Sequence, residues 1–363
     1  MDDKQKRLHE LLEELERQKK TENRYDIVVP TDQLKVTVDV GTNKILMEVP
    51  QPSGDSKYHA ITDFCHEQIA DKCGIPRKYY QRMLEDDKLD LLKENINEWI
   101  SSKEKRLIRV LDGKVRALLS DRYRCIDNYD IFESALEEFK NIQKNKGLDI
   151  QIIDAKLTET NLYIKVTSPQ LTAMIKHWRG SEEQVEGGVI ITNSEVGRGA
   201  FTVKPYINVL VCTNGLISST ILKRVHLGEK KELGIIDWSD ETKQLQDATL
   251  WSQIKDMINH TFDLEVFKQW IDEINQKATT EILKPKLAVD NIVKRFSTIP
   301  KGAVDDLLNQ FTRERPTQWG LAMAVTRVAQ DQADYNKQVE WEKVGAEILE
   351  LPIKAIVKEE KEE

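Results

Sequence analysis

The chain is poor in cysteine, with only Cys65, Cys73, Cys125 and Cys212 among 363 residues. Thiols this sparse in a long chain exclude a disulfide framework and fit a reducing, cytoplasmic setting. No run of about 18 apolar residues occurs, so no membrane-spanning helix and no membrane partner is expected. The opening MDDKQKRLHELLEELERQKK has no apolar signal-peptide core, so export by that route is not expected. Catalytic signatures are missing too. There is no G-x-x-x-x-G-K-[ST] phosphate loop, no G-x-S-x-G elbow, no H-E-x-x-H and no G-x-G-x-x-G after a strand. No cofactor is expected, and no motif points to an enzyme. Apolar residues make up 39%, below the usual level of about 45–50%. They are nevertheless grouped and periodic, which separates the chain from a disordered one.

Charge is plentiful, at 32% of residues with a net of −8. That balance argues against a protein that coats DNA indiscriminately. Its distribution is uneven. Residues 101–230 hold 20 Lys and Arg against 16 Asp and Glu, a balance of +4, while the remainder holds 34 against 46, or −12.

The length suits about two domains. Residues 1–22 read as an exposed amphipathic helix with Leu8, Leu11, Leu12 and Leu15 on one stripe, docked on its own chain or offered to a protein partner or a second copy. Residues 23–245 read as an α+β core, 246–350 as a helical C-terminal region and 351–363 as an acidic tail. Strands are expected at 26–29, 34–40 and 44–49, then a helical block from Thr62 to Ser101, interrupted at Gly74. Asp112-Gly113 predicts a tight hairpin between alternating strands. A helix beginning near Asn128 follows, then strands at 149–157 and 161–168. A polar segment from Pro169 to Gly187 precedes strands at 188–194 and 200–214. The fold class is α+β: a central antiparallel or mixed sheet, built from residues 105–215 and flanked by helices, with further helices near 287–297, 302–313 and 317–347.

Three ordered segments carry a resemblance: ALLSDRYRCIDNYDIF, GGVIITNSEVGRGAF and VLVCTNGLI. With TQWGLAMAVTRVAQ they resemble the phage/plasmid-like family called domain of unknown function 932, over roughly residues 60 to 340. Cys125 stands where a proline is common in that family. The resemblance implies an association with phages, plasmids or integrated elements, and so with nucleic acid. It supplies no catalytic residues.

Several constellations suit nucleic acid. Arg122 and Arg124 flank Tyr123 between a strand and a helix N-terminus, a pattern that can hold phosphate and stack a base. Lys176, His177, Trp178 and Arg179 interleave cations with an aromatic, which suits a single strand, although Glu182 and Glu183 follow at once. Arg198 sits between Gly197 and Gly199 on a predicted hairpin tip, with Lys204 soon after and Lys223, Arg224 and His226 beyond. Each has a plainer structural reading as a capped turn, a packed loop or a tight turn. His59, Cys65, His66 and Cys73 lack zinc spacing, so no metal site is expected. Asp121, Asp127 and Glu195 are the first suspects for a metal-dependent nuclease, the weakest of the readings. The leading expectation is a nucleic-acid-binding accessory protein of such an element, binding single strands in recombination or replication, with the Arg122, Trp178 and Arg198 segments converging on one positive face. The alternative is a non-enzymatic structural or partner-regulating assembly protein.

Overall fold

The computed structural model describes residues 3–51, 53–176, 182–210, 215–217, 223–225, 240–314 and 316–358. Helix α1 (Asp3–Lys20) leads into β1 (Arg24–Pro30), β2 (Lys35–Asp39), β3 (Lys44–Pro50) and β4 (Ser56–Ile61). Helices α2 (Asp63–Cys73), α3 (Arg77–Glu85) and α4 (Leu89–Ile100) follow, then the hairpin of β5 (Lys105–Leu111) and β6 (Lys114–Ser120). The six strands form one sheet in the order β1-β5-β6-β4-β3-β2, antiparallel except where β4 runs parallel to β6. Local chemistry sets the joints. Thr62 caps α2 by accepting from the Cys65 amide, and Gly74 ends that helix in the left-handed region. Asp112 and Gly113 both take positive φ, 52° and 74°, as a two-residue hairpin turn of the type I′ class demands. Met47, Ile108 and Val115 pack against Ile69, Leu92 and Ile96 to form the sheet's own core.

Helix α5 (Asn128–Lys146) connects to a second sheet. Its strands are β7 (Gln151–Leu157), β8 (Leu162–Lys176), β9 (Glu182–Asn193), β10 (Phe201–Val209) and β11 (Gly215–Ile217). The order is β11-β10-β9-β8-β7, and β12 (Lys223–Val225) also pairs with β10. Side chains alternate along β8 with a period of two. Leu162, Ile164 and Val166 join a large core with Phe132 and Phe139 of α5 and Ile254 and Ile258 of α6 (Asp240–Thr261). Tyr163, with Ile190 and Tyr206 from neighbouring strands, faces Val339 and Tyr335 of α11 (Tyr335–Glu350). Helices α7 (Leu264–Ala278), α8 (Pro285–Arg295), α9 (Val304–Glu314), α10 (Gln318–Ala329) and α12 (Ile353–Ile356) complete the C-terminal region. Helix α10 is buried along most of its length and lies close against α11. A Cβ on Gly345 would sit 2.6 Å from Thr326 Cγ2.

The fold is α+β, as the sequence predicts. The strands divide into two sheets rather than one, because β5 and β6 pair with β1 and β4, not with β7–β11. The described residues of the polar stretch after Pro169 are strand: β8 continues to Lys176 and pairs with β9 from Glu182, across a register shift between Thr167 and Thr172. Strand β4 has no counterpart in the sequence reading, and the single late helix is two, α10 and α11. The α1 stripe docks in cis. Leu11 and Leu15 are buried, and the helix packs on β7 and α5. Among the described residues no helix is long and apolar enough to cross a membrane.

Candidate nucleic-acid interface

Two connections meet where the sheets join. One carries the DRYR turn from the end of β6 to α5, and the other runs from Asn193 at the end of β9 to Phe201. Tyr123 donates its hydroxyl hydrogen to the Ser194 carbonyl at 2.7 Å. The Ser194 hydroxyl donates to the Thr160 carbonyl (2.7 Å) and accepts from the Arg198 amide (3.0 Å). Asn193 donates to the Ile126 carbonyl (3.1 Å) and to Asn128 Oδ1 (2.8 Å). Glu195 accepts from the Asn128 amide at the start of α5 (2.7 Å) and from Arg116 of β6 (2.8 Å). Gln68 of α2 reaches across too, donating to the Val196 carbonyl (2.8 Å) and accepting from the Leu118 amide (2.9 Å). Gly197 has φ +81°, and a Cβ there would come within 2.5 Å of Leu119. The positive φ disfavours any side chain there, and a Cβ would also have to push Leu119 aside.

Arg109 is the centre of this junction. It is 2% exposed and donates to Asp26 (3.0 Å), the Glu195 carbonyl (2.9 Å) and Asp127 (2.9 Å). Burial opposes its charge, yet Asp26 together with Glu195 more than offsets that and holds the guanidinium above its ordinary value. Asp127 is shared with Arg24. Burial raises the Asp127 carboxyl, but the two arginines win and hold it below the usual carboxylate range. Charges buried this deeply persist only when paired.

The sequence-predicted residues divide. The DRYR turn and the Gly-Arg-Gly loop come together. Arg122 and Arg198 are exposed there, Arg124 is half-buried, and the Arg198 guanidinium lies 5.6 Å from the centroid of Phe64. Burial lowers the Arg124 guanidinium from its usual value, but an arginine remains a cation in any case. Lys176 does not join them. It pairs with Glu182 at the far end of β9, about 35 Å from Asn193 at about 3.3 Å per residue. Its amide donates to Asn275 of α7. Lys204 is not on the tip either. It lies opposite Ile190 within the sheet and is 9% exposed. The basic segments therefore do not all converge: the DRYR turn and the Gly-Arg-Gly loop meet, while Lys176 and Lys204 lie apart from them along the β8, β9 and β10 pairing. His177, Trp178 and Arg179 lie outside the described residues, as do Cys212, Thr213 and Asn214 of the third signature segment and His226.

Two of the nuclease suspects, Asp127 and Glu195, are engaged by arginines, and among the described residues no three metal-ligating side chains cluster. His59 and His66 each face a tyrosine, Tyr25 and Tyr80, at 2.7 Å. Sequence reasoning missed Arg109, Arg116 and Gln68. The available signal was Arg109 itself, a charge within the apolar strand RLIRVL, where an unpaired cation would not be tolerated.

Two of the signature segments, those around Tyr123 and Ser194, thus interlock between the two sheets and carry exposed arginines. The family model described as domain of unknown function (DUF932) matches residues 116–347, and the chain belongs to that family. The matched span begins at Arg116, the residue that pairs with Glu195 across the junction. No curated protein and no solved structure matches the chain.

Proposed function

We propose that the protein is a nucleic-acid-binding accessory factor of a phage, plasmid or integrated element, holding single strands on the rim formed by Arg122, Arg124 and Arg198. The observation that carries this reading is the Tyr123–Ser194 hydrogen bond, which ties two arginine-bearing segments into one place. Below the rim, Arg109 and Glu195 fix both segments, so the cations are presented on a stiff support rather than on free loops. Phe64 beside Arg198 adds an aromatic surface of the kind on which bases stack. Anisotropy with a labelled single strand across a salt series tests it. Binding at about 50 mM salt should weaken steeply as salt rises, and Arg122→Ala/Arg198→Ala should flatten the slope by about one to two phosphate contacts. Salt-independent binding, or none, refutes the reading.

A second reading, a partner-binding assembly role, is favoured by an open groove of about 860 Å³ between α1, α5 and α6. Leu12, Tyr129, Leu136 and Trp251 line it, and Glu16, Glu133 and Glu137 stand among the polar lining. Lys140 and Lys255 line it too, so it suits an amphipathic helix with edges of mixed charge. Light scattering of the wild type and Trp251→Glu tests that reading. A monomer at every concentration in both counts against assembly.

A further inference from the structure

A second polar recess lies at the end of the first sheet, well inside that sheet's own architecture. It is about 420 Å³ and is lined by Arg24 and Tyr25 of β1, Gln51 and Ser53 of the β3–β4 turn, and Lys57 and His59 of β4. This falls within the usual range of small-ligand sites, about 300–1,000 Å³. His59 is 2% exposed and touches the Tyr25 hydroxyl with Nε2 at 2.7 Å. Its other ring nitrogen, Nδ1, has no hydrogen-bond partner. Burial lowers the pKa of the imidazole, and the Gly113 backbone beside the ring partly opposes that. With the tautomer assigned so that Tyr25 donates to Nε2, the ring proton sits on Nδ1 as an unused donor. A buried donor left unpaired is unfavourable, and an incoming acceptor removes that cost.

The charges indicate the acceptor. Lys57 is exposed at the mouth, and Arg24 lines the recess while its guanidinium is anchored by Asp127. Among the described residues, Glu22 is the one carboxylate in the lining. Asn23 and Gln51 add amides suited to a base edge.

We propose that this recess binds a nucleoside monophosphate, with the phosphate between Lys57 and Arg24 and His59 Nδ1 donating to the ligand. The site is distinct from the arginine rim. Calorimetry with the full chain, using the four common ribonucleoside monophosphates, inorganic phosphate and adenosine as probes, tests it. At least one nucleotide should bind at a 1:1 ratio, with inorganic phosphate weaker and adenosine undetectable. Lys57→Gln, on the exposed mouth and tolerable to the fold, should weaken the nucleotide tenfold or more. Tyr25→Phe should weaken it less, and the His59 imidazole ¹⁵N signals should shift on titration. Arg122→Ala/Arg198→Ala should leave nucleotide binding intact, so loss of single-strand binding and loss of recess binding are separable outcomes. No heat with any nucleotide at about 5 mM, equal binding by Lys57→Gln, or unmoved imidazole signals would overturn the proposal.

Discussion

Two neutral ring pairs attend the first sheet and its helices, His59 of β4 against Tyr25 and His66 of α2 against Tyr80. On the second sheet an ion pair is buried against α11: Lys165 Nζ lies 2.9 Å from both Glu342 oxygens, with both side chains almost fully buried. Tyrosines attend both arrangements. Lys165 Nζ sits 5.6 Å from the Tyr206 ring centroid and 5.4 Å from that of Tyr335. The difference is one of sensitivity to acid. Burial pushes the His66 imidazole down to about 4, partly opposed by Asp63. Burial pushes the Glu342 carboxyl up, and Lys165 only partly restores it. A lowered histidine stabilises the fold above its ordinary value near 6.5, and that contribution is lost as pH falls toward 4. A raised glutamate contributes most below its ordinary value of 4.5, and that is lost as pH rises through its elevated value. Acid therefore weakens the first sheet's helices while relieving the second sheet's ion pair.

The comparison breaks most sharply at Lys165. Lys165→Met strands the Glu342 carboxylate between β8 and α11, and should cost about 3–5 kcal/mol in urea unfolding at neutral pH. Adding Glu342→Leu should restore most of that loss, because the pair resists unpairing more than joint replacement by apolar groups. The single variant's deficit should also shrink on acidification, as the stranded carboxyl takes up a proton. A Lys165→Met loss below about 1 kcal/mol would mean that α11 is held by its apolar contacts alone.

The histidine side is expected to be somewhat smaller. A shift from 6.5 to about 4 corresponds to about 3 kcal/mol at about 1.4 kcal/mol per unit. Between pH 7 and pH 4 the wild type should lose about that much more stability than His66→Gln, which cannot titrate. Parallel pH profiles for the two proteins would contradict the proposed role of His66.

Joining the two halves is a polar junction, and Asn193→Ala probes it at about 1–3 kcal/mol, since the Ile126 carbonyl and Asn128 Oδ1 both lose their donor. If the junction couples the sheets, this variant shifts one common unfolding transition. If the two sheets unfold separately, their opposite acid responses should resolve into two transitions.

Much of this architecture was legible beforehand, and the failures share a cause. The Asp112-Gly113 hairpin, the Thr62 start of α2 and the α5 start near Asn128 follow from local signals: a turn dipeptide, a capping hydroxyl and a periodic apolar stripe. Strand β4, SKYHAI, was missed because its burial comes from neighbours distant in sequence rather than from alternating apolarity. The Pro169–Gly187 stretch reads as polar because the far half of β8 alternates exposed residues with buried Leu171 and Ile175. At the candidate site, the DRYR and NSEVGRG segments were recognised as signature stretches. That Tyr123 and Ser194 touch depends on a pairing across 71 positions, which no local pattern encodes. Lys204 illustrates the same limit. Its charge suggests exposure, but its register opposite Ile190 places it inside the sheet.

The smallest expected effect concerns α1, which straps the two sheets together from outside. Its leucine stripe rests on β7 and α5, while Arg17 donates to both Asp112 oxygens, at 2.9 and 2.7 Å, on the first sheet's hairpin turn. Arg17 also pairs with Glu14 in its own helix. Both contacts are solvent-exposed, so Arg17→Ala should cost about 1 kcal/mol or less, and the deficit should fade at about 0.5 M salt as the charges are screened. Leu15→Ala, which removes a buried side chain from the same helix, should cost about 2–5 kcal/mol with no salt dependence. If the charge variant proved the more damaging, the strap would be electrostatic, and α1 would hold the first sheet more firmly than the second.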